Sequence, residues 1–258
     1  MKADHKIGVV GVGVVGTPLL AALKYYHKDV KSYDKYQPSD NWEDILKTDI
    51  VFLCLPTDKG EDGRLNMDVV DEVLGQLDAE NYDGLVVIKS TLRLGYITEA
   101  YNKFNLKLAV FPEWLYANNA FPGTLRPEMT VIGTYEFLDD EFILDVCCWH
   151  KNDNAHVMRP EEAVMLKLTA NAYASTKISF ANQIMMICDK YDLDHNLIMK
   201  MFKHDPRNVD RYLTPGWAYG GYCLPKDTSE LACSIDDEVL FTAVEEINER
   251  VKKWKKSE

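Results

Sequence analysis

The sequence predicts an α/β protein: a doubly wound parallel sheet, then an all-helical domain built on one long central helix. Three observations predict it. Short apolar runs alternate with amphipathic segments through the first half of the chain. A glycine-rich turn follows the first of those runs directly. From Pro160 to about Tyr191 nothing interrupts a helical pattern.

Taken in order, KIGVVG (6–11) reads as a buried strand and VVGTPLLAALKYYHK (14–28) as a helix. VKSYD (30–34), DIVFLCLP (49–56), GLVVIKS (84–90), KLAVFP (107–112) and MTVIG (129–133) read as further strands, with helices such as MDVVDEVLGQLDAE (67–80) between them. Strand, helix, strand repeated in this way gives a parallel sheet covered on both faces. Pro160 suits a first helical turn, and Glu161 and Glu162 suit the positive end of the helix dipole. A helix from there to Tyr191 is roughly 45 Å long and joins two domains or two subunits. NLIMKMFKH (196–204) reads as a second helix, PGWAYGGYCLPKD (215–227) as a Gly-rich loop, and DDEVLFTAVEEINERVKKWKK (236–256) as a closing amphipathic helix. The division falls near residues 150–160, taken as 1–155 and 156–258.

The 258 residues are 47% hydrophobic and 27% charged, which excludes a disordered or fibrous chain. Lys+Arg 29 against Asp+Glu 41 leaves a net charge of −12, which argues against nucleic acid or an anionic membrane as partner. A small anionic ligand needs only a local site. The six cysteines and six histidines have no metal-ligand spacing, so no metal is expected. The cysteines read as reduced, which places the chain in the cytoplasm. The histidines read as surface or capping residues. Residues 7–23 imitate a signal peptide, but Asp4, Pro18 and glycines at 8, 11, 13 and 16 give the stretch another purpose.

That purpose is nucleotide binding in a Rossmann-type sheet. Gly11-Val12-Gly13-Val14-Val15-Gly16 follows a strand and opens a helix, and Asp34 closes the next strand. The glycines allow a tight turn, close approach of backbone to a pyrophosphate and close helix–strand packing. Asp34 suits ribose hydroxyls and repels a 2′-phosphate, favouring NAD; Lys35 weakens that preference slightly. The second candidate site is Cys223, between Gly220-Gly221-Tyr222 and Leu224-Pro225-Lys226-Asp227. A bent loop would expose the thiol and Lys226 would lower its pKa, although a free Cys is more often a small packing residue. Lys167 and Asn171 are i and i+4 on the long helix, so they share a face among apolar neighbours. They suit either an oxyanion site or a solvated stripe.

Together these segments resemble the UDP-glucose/GDP-mannose dehydrogenase family over roughly residues 6–250, in the same order. Gly11–Gly16 resembles its nucleotide turn, and Cys54-Leu55-Pro56-Thr57 its third-strand end. Ser90-Thr91 with Gly95, and Pro112-Glu113-Trp114-Leu115, resemble two further segments. Lys167-x-x-x-Asn171 with Lys177–Asn182 resembles the central helix, and Asp205-Pro206-Arg207 its D-x-R segment. Gly220-Gly221-x-Cys223-x-Pro225-Lys226-Asp227 is the most specific match.

The resemblance implies an NAD-dependent, four-electron oxidation of a nucleotide sugar, UDP-glucose to UDP-glucuronate first, for polysaccharide biosynthesis. Cys223 would trap the aldehyde as a thiohemiacetal, which is oxidised to a thioester and hydrolysed. Lys167 and Asn171 would stabilise the oxyanion, Asp227 would move a proton or hold Lys167, and Glu113 and Thr91 would position water. Gly11, Gly13, Val14, Val15, Gly16, Asp34, Lys35, Pro56, Thr57, Ser90 and Thr91 would line the cofactor. The substrate would meet Glu113, Trp114, Leu115, Lys167, Asn171, Tyr219, Gly220, Gly221 and Lys226. Arg207 would reach it from a partner subunit in a homodimer formed through the long helix.

Three features depart from the family pattern. Tyr116-Ala117 stand where Arg-Glu is usual, Ala218 replaces a glycine and Tyr222 a small residue, and the 258 residues include no counterpart of the family's C-terminal UDP-binding domain, which would make this a natural minimal version, a fragment, or a chain completed by another. A different alcohol or hydroxy-acid oxidation, or a non-catalytic NAD-binding subunit, are the competing readings.

Overall fold

The computed structural model describes residues 5–115, 120–135, 139–150, 155–208 and 211–254. The chain forms two compact units. One consists of the segments up to Thr57 and Asn66–Leu166; the other of Asp58–Leu65 and the segment from Lys167 onward.

The first unit runs β1 (Ile7–Val10), α1 (Gly16–Tyr26), β2 (Val30–Tyr33), α2 (Trp42–Ile45), β3 (Ile50–Leu53), α3 (Asp68–Ala79), β4 (Leu85–Ile88), α4 (Tyr96–Lys103), β5 (Lys107–Val110), α5 (Ala120–Leu125), β6 (Thr130–Gly133), α6 (Asp139–Val146) and β7 (Ala155–Met158). The seven strands are ordered β2-β1-β3-β4-β5-β6-β7. β1, β3, β4 and β6 are buried along their whole length, as strands covered on both faces must be. β2 alternates buried and half-buried residues, and β7 (AHVM) is largely open, as edge strands are. The core joins Ile7, Val9, Phe52, Val87 and Phe111 to Leu19 and Leu23 of α1 and Ile143 and Val146 of α6.

Two features differ from the sequence expectation. The sheet is parallel through β5, but β6 runs antiparallel to β5, paired at Val110 and Gly133, and β7 is parallel to β6. β7 carries no apolar run, so its pattern gave no strand signal. The first unit also continues through Leu166, into the long helix, where the sequence suggested a division at 155/156.

The second unit holds the rest of α7 (Pro160–Lys190), then α8 (His195–Phe202), α9 (Cys223–Ala232) and α10 (Leu240–Trp254). Asp194 caps α8 by accepting the Leu197 N–H at 3.0 Å. Buried Ala172, Ser175 and Ser179 give α7 a face of small side chains, while Ala181 on another face packs with Met199 and Leu213. Ser175 accepts from Thr228 Oγ1 of α9 at 2.7 Å, and Ser179 donates to the Val244 carbonyl of α10 at 2.9 Å. The segment Asp58–Leu65 folds back through a Lys59–Leu65 bridge, and Ser229 Oγ of α9 donates to its Gly63 carbonyl at 2.8 Å.

Candidate active site

In the first unit the strand order reverses between β1 and β3. In open α/β sheets that crevice is where nucleotides bind. The carboxyl ends of β1, β2 and β3 converge there: Gly11 N donates to the Tyr33 carbonyl at 2.9 Å, and Cys54 N to the Val10 carbonyl at 2.8 Å. Gly11 has φ +89°, and a Cβ on it would stand 2.4 Å from the Cys54 carbonyl oxygen. A Cβ on Gly16 would stand 1.9 Å from the Gly11 oxygen, whereas one on Gly13 would meet nothing within 4 Å. The first and third glycines are therefore needed by the turn itself, and the second leaves the face before α1 open. That is the cradle a pyrophosphate requires.

Asp34 Oδ2 accepts the Val12 N–H at 2.7 Å and Oδ1 the Tyr36 N–H at 2.9 Å. Each oxygen keeps further acceptor capacity for a ribose hydroxyl. Lys35 is exposed and pairs with Glu72 at 3.5 Å. These residues fit a dinucleotide. Val14 is exposed and Val15 half-buried; Pro56 is exposed and Thr57 buried.

Ser90 has a structural task in addition to any contact with cofactor. Its hydroxyl accepts the Leu55 N–H and donates to the Leu55 carbonyl, both at 2.8 Å. Thr91, Glu113, Trp114 and Leu115 are half-buried. Glu113 Oε2 accepts the Leu115 N–H at 2.5 Å. Lys89 was not singled out by the sequence. It is buried, donates to the Phe111 carbonyl at 3.1 Å and sits 3.9 Å over the Phe111 ring. It thus anchors the strand end that carries Glu113. Burial pushes the nearby Cys54 thiol up to about 12, against the Lys89 charge, which makes it a packing thiol. Tyr116 and Ala117 lie outside the described residues.

In the second unit the structure corrects the expected loop around Cys223. Cys223 is the first residue of α9, a ten-residue helix, and is exposed. Pro225 is tolerated because it lies in the first turn, where a missing N–H costs nothing. The positive end of the helix favours an anionic sulfur there. Lys226 is buried; its Nζ donates to Asp227 Oδ1 at 2.7 Å and lies 5.3 Å over the Tyr222 ring. Asp227, fully buried, also accepts from Asn171 Nδ2 at 2.5 Å. Lys226, Asp227 and Asn171 therefore form one network joining α9 to α7, and Lys167 is buried one turn before Asn171.

Gly220 and Gly221 are exposed, while Tyr219 is buried. Arg207 is exposed and closes on Asp205 through Nε at 2.9 Å. The histidines are not all on the surface. His150 is buried, and Nδ1 stands 2.9 Å from Thr130 Oγ1. Burial, with the Lys89 charge, lowers its pKa to about 3. Among the described residues no group of His, Cys, Asp and Glu could hold a metal, and no helix is long and apolar enough to cross a membrane.

Two domain models of one family match the chain. The model described as the UDP-glucose/GDP-mannose dehydrogenase family, NAD binding domain, matches residues 36–143; the central-domain model of that family matches 161–250. The first unit's cofactor is accordingly NAD. A UDP-glucose 6-dehydrogenase of Campylobacter jejuni is 31% identical over 87% of this chain and 59% of its own length. One of Streptococcus pneumoniae is 29% identical over 96% of this chain and 74% of its own. The structure of a UDP-glucose dehydrogenase from Pyrobaculum islandicum superposes with a TM-score of 0.84 at 24% identity, over 98% of this chain and 69% of that one. It shares the fold. The chain thus spans about three-fifths of the Campylobacter enzyme.

Proposed function

The chain belongs to the UDP-glucose/GDP-mannose dehydrogenase family, and we propose on that premise that it oxidises the CH2OH group of a nucleotide sugar to a carboxylate, with UDP-glucose the first substrate to test. The observation that carries this reading is the exposed Cys223 at the first turn of α9, the helix whose buried Lys226 and Asp227 are joined to half-buried Asn171. The balanced reaction converts one primary alcohol, two NAD and one water into a carboxylate, two NADH and three protons. NAD, when bound, supplies the two-electron acceptor for each oxidation.

The chain's own residues do the remainder. The Cys223 sulfur adds to the aldehyde carbon and forms a C–S bond; the thiohemiacetal is oxidised to a thioester. Water then adds to the thioester carbonyl, the C–S bond breaks and the thiolate leaves. Sulfur suits both roles, because it attacks a carbonyl as thiolate and departs more readily than an alkoxide. Asp227 fixes the Asn171 amide by accepting one of its N–H groups, and Asn171 with Lys167 stabilises the oxyanion. Glu113 and Thr91 of the first unit keep in this reading the role that the family resemblance implies for them, the positioning of water. Lys226 balances the buried Asp227 charge.

A homodimer through α7 is part of this reading. Tyr173, Phe180 and Ile187 are 63%, 44% and 45% exposed and lie seven residues apart. That spacing is the stripe through which two helices pack.

The test is NADH formed per sugar consumed, with a panel of UDP- and GDP-sugars. The expected result is two NADH per UDP-glucose for the native chain and loss of carboxylate formation in Cys223→Ser. Full carboxylate production by Cys223→Ser would overturn the mechanism. One NADH per sugar, with aldehyde released, would replace the four-electron reaction by an alcohol oxidation.

A further inference from the structure

We propose that Asn182 and Asn248 are positioning residues for Cys223: two buried amides that hold the loop from Gly216 to Tyr219 in the one shape that presents the thiol. The proposal rests on the reading of Cys223 as the nucleophile. Asn182 lies on α7 and is 0% exposed; Asn248 lies on α10 and is 2% exposed. Asn182 Oδ1 accepts the Gly216 N–H and its Nδ2 donates to the Trp217 carbonyl, both at 2.8 Å. Asn248 Oδ1 accepts the Tyr219 N–H at 2.7 Å, and its Nδ2 donates to the Tyr219 carbonyl at 3.0 Å. The two side chains thus take both a donor and an acceptor from the backbone at either end of a four-residue stretch, and Cys223 follows four residues later.

Such a clamp is needed because no helix or strand fixes this stretch. Residues 217–220 have no regular structure, and Gly216 and Gly221 have φ of +90° and +74°. Glycines at those angles fit the turn but leave the free chain many alternatives. Buried backbone N–H and C=O groups also require partners. An amide is the side chain that offers one acceptor and paired donors at a single site; a carboxylate of the same shape offers no donor. The two clamps share a frame, because Ser179 of α7 bonds the Val244 carbonyl of α10. The sequence does place Asn248 on the apolar stripe of α10, with Val244 and Val251 one turn to either side.

Asn248→Asp and Asn182→Asp keep size and acceptor but remove the donor. Three readouts follow Cys223 in the full chain. Iodoacetamide labelling across pH reports the environment of its thiol, with exposed Cys233 as internal reference. Amide hydrogen exchange reports the loop, and kcat against KM reports turnover. In each folded variant the lost donor bond to the Trp217 or Tyr219 carbonyl loosens the whole stretch, so exchange at Gly216 or Tyr219 is expected to rise about tenfold to a hundredfold although the acceptor oxygen remains, the range for one lost buried bond. The Cys223 labelling profile is expected to shift while that of Cys233 does not, and kcat to fall with NAD affinity retained. A folded variant with the native Cys223 profile would overturn the proposal. So would native protein whose Gly216 and Tyr219 amides exchange as fast as those of exposed Gly220 and Gly221, a result that needs no variant to fold. Labelling and exchange require no substrate. If no nucleotide sugar is oxidised but the variants still shift the Cys223 profile, the assigned reaction fails and the clamp stands.

Discussion

Replacing Arg64 by Ala tests how the Asp58–Leu65 segment is held to α9. Glu230 is fully buried on α9. Its Oε1 accepts from Arg64 Nε at 2.9 Å and Nη2 at 2.7 Å, and its Oε2 accepts the Leu65 N–H at 2.8 Å. The same bonds hold the Arg64 guanidinium above its ordinary value. Breaking a buried ion pair from one side costs about 3–5 kcal/mol, because it strands the remaining charge. Here the Arg64 side chain is 24% exposed and the Leu65 N–H stays, which puts the loss near the low end, at about 3 kcal/mol. In a chain of this size that lowers Tm by roughly 10 °C.

Urea unfolding followed by tryptophan fluorescence measures the loss, and Arg64→Ala/Glu230→Gln should recover part of it by removing the stranded charge. A deficit below about 1 kcal/mol would refute the reasoning, since that is what a pair that is not buried gives.

Gly13→Ala should fold with near-native Tm, since its Cβ meets nothing within 4 Å, yet bind NAD at least about tenfold more weakly by calorimetry; Gly16→Ala should lose stability as well, because its Cβ lies 1.9 Å from the Gly11 oxygen. The depressed pKa of His150, about 3 against about 6.5 unfolded, means that the unfolded chain binds the extra proton first; stability is intact above pH 6.5 and falls by roughly 2–3 kcal/mol by pH 4.5. His150→Gln should flatten that part of the acid limb in urea titrations at pH 4.5–7, and an unchanged limb would remove His150 as its source. Phe180→Asp places a charge in the middle of the exposed α7 stripe, and sedimentation should show a dimer for the native chain, as proposed, and a monomer for the variant. An unaltered dimer would move the interface elsewhere.

The nucleotide half of the candidate site was legible because its signal is local. A strand, three glycines, a helix and an acid closing the next strand follow one another in the chain, and close-packed backbones permit no other residue at Gly11 and Gly16. The long helix was legible for a similar reason: its 31 residues contain no breaker after Pro160. Cys223 was found through its neighbours in sequence, but its place on a helix was not, because glycines and a proline beside it read as a loop. Whether Pro225 breaks a helix or opens one depends on where the first turn falls, which packing decides.

The sequence by itself determined the alternation that builds the sheet, the cofactor turn and the residue types of the thiol site. Tertiary structure alone decided which polar groups were paired. His150 and Lys89 are buried, the Lys226 charge faces Asp227, Glu230 takes Arg64 from a segment 166 residues away, and two asparagines close on the loop before Cys223. Apolar periodicity survives in one dimension because each element has a fixed repeat. The partner of a buried polar group does not, because it is supplied by whichever element the fold brings against it.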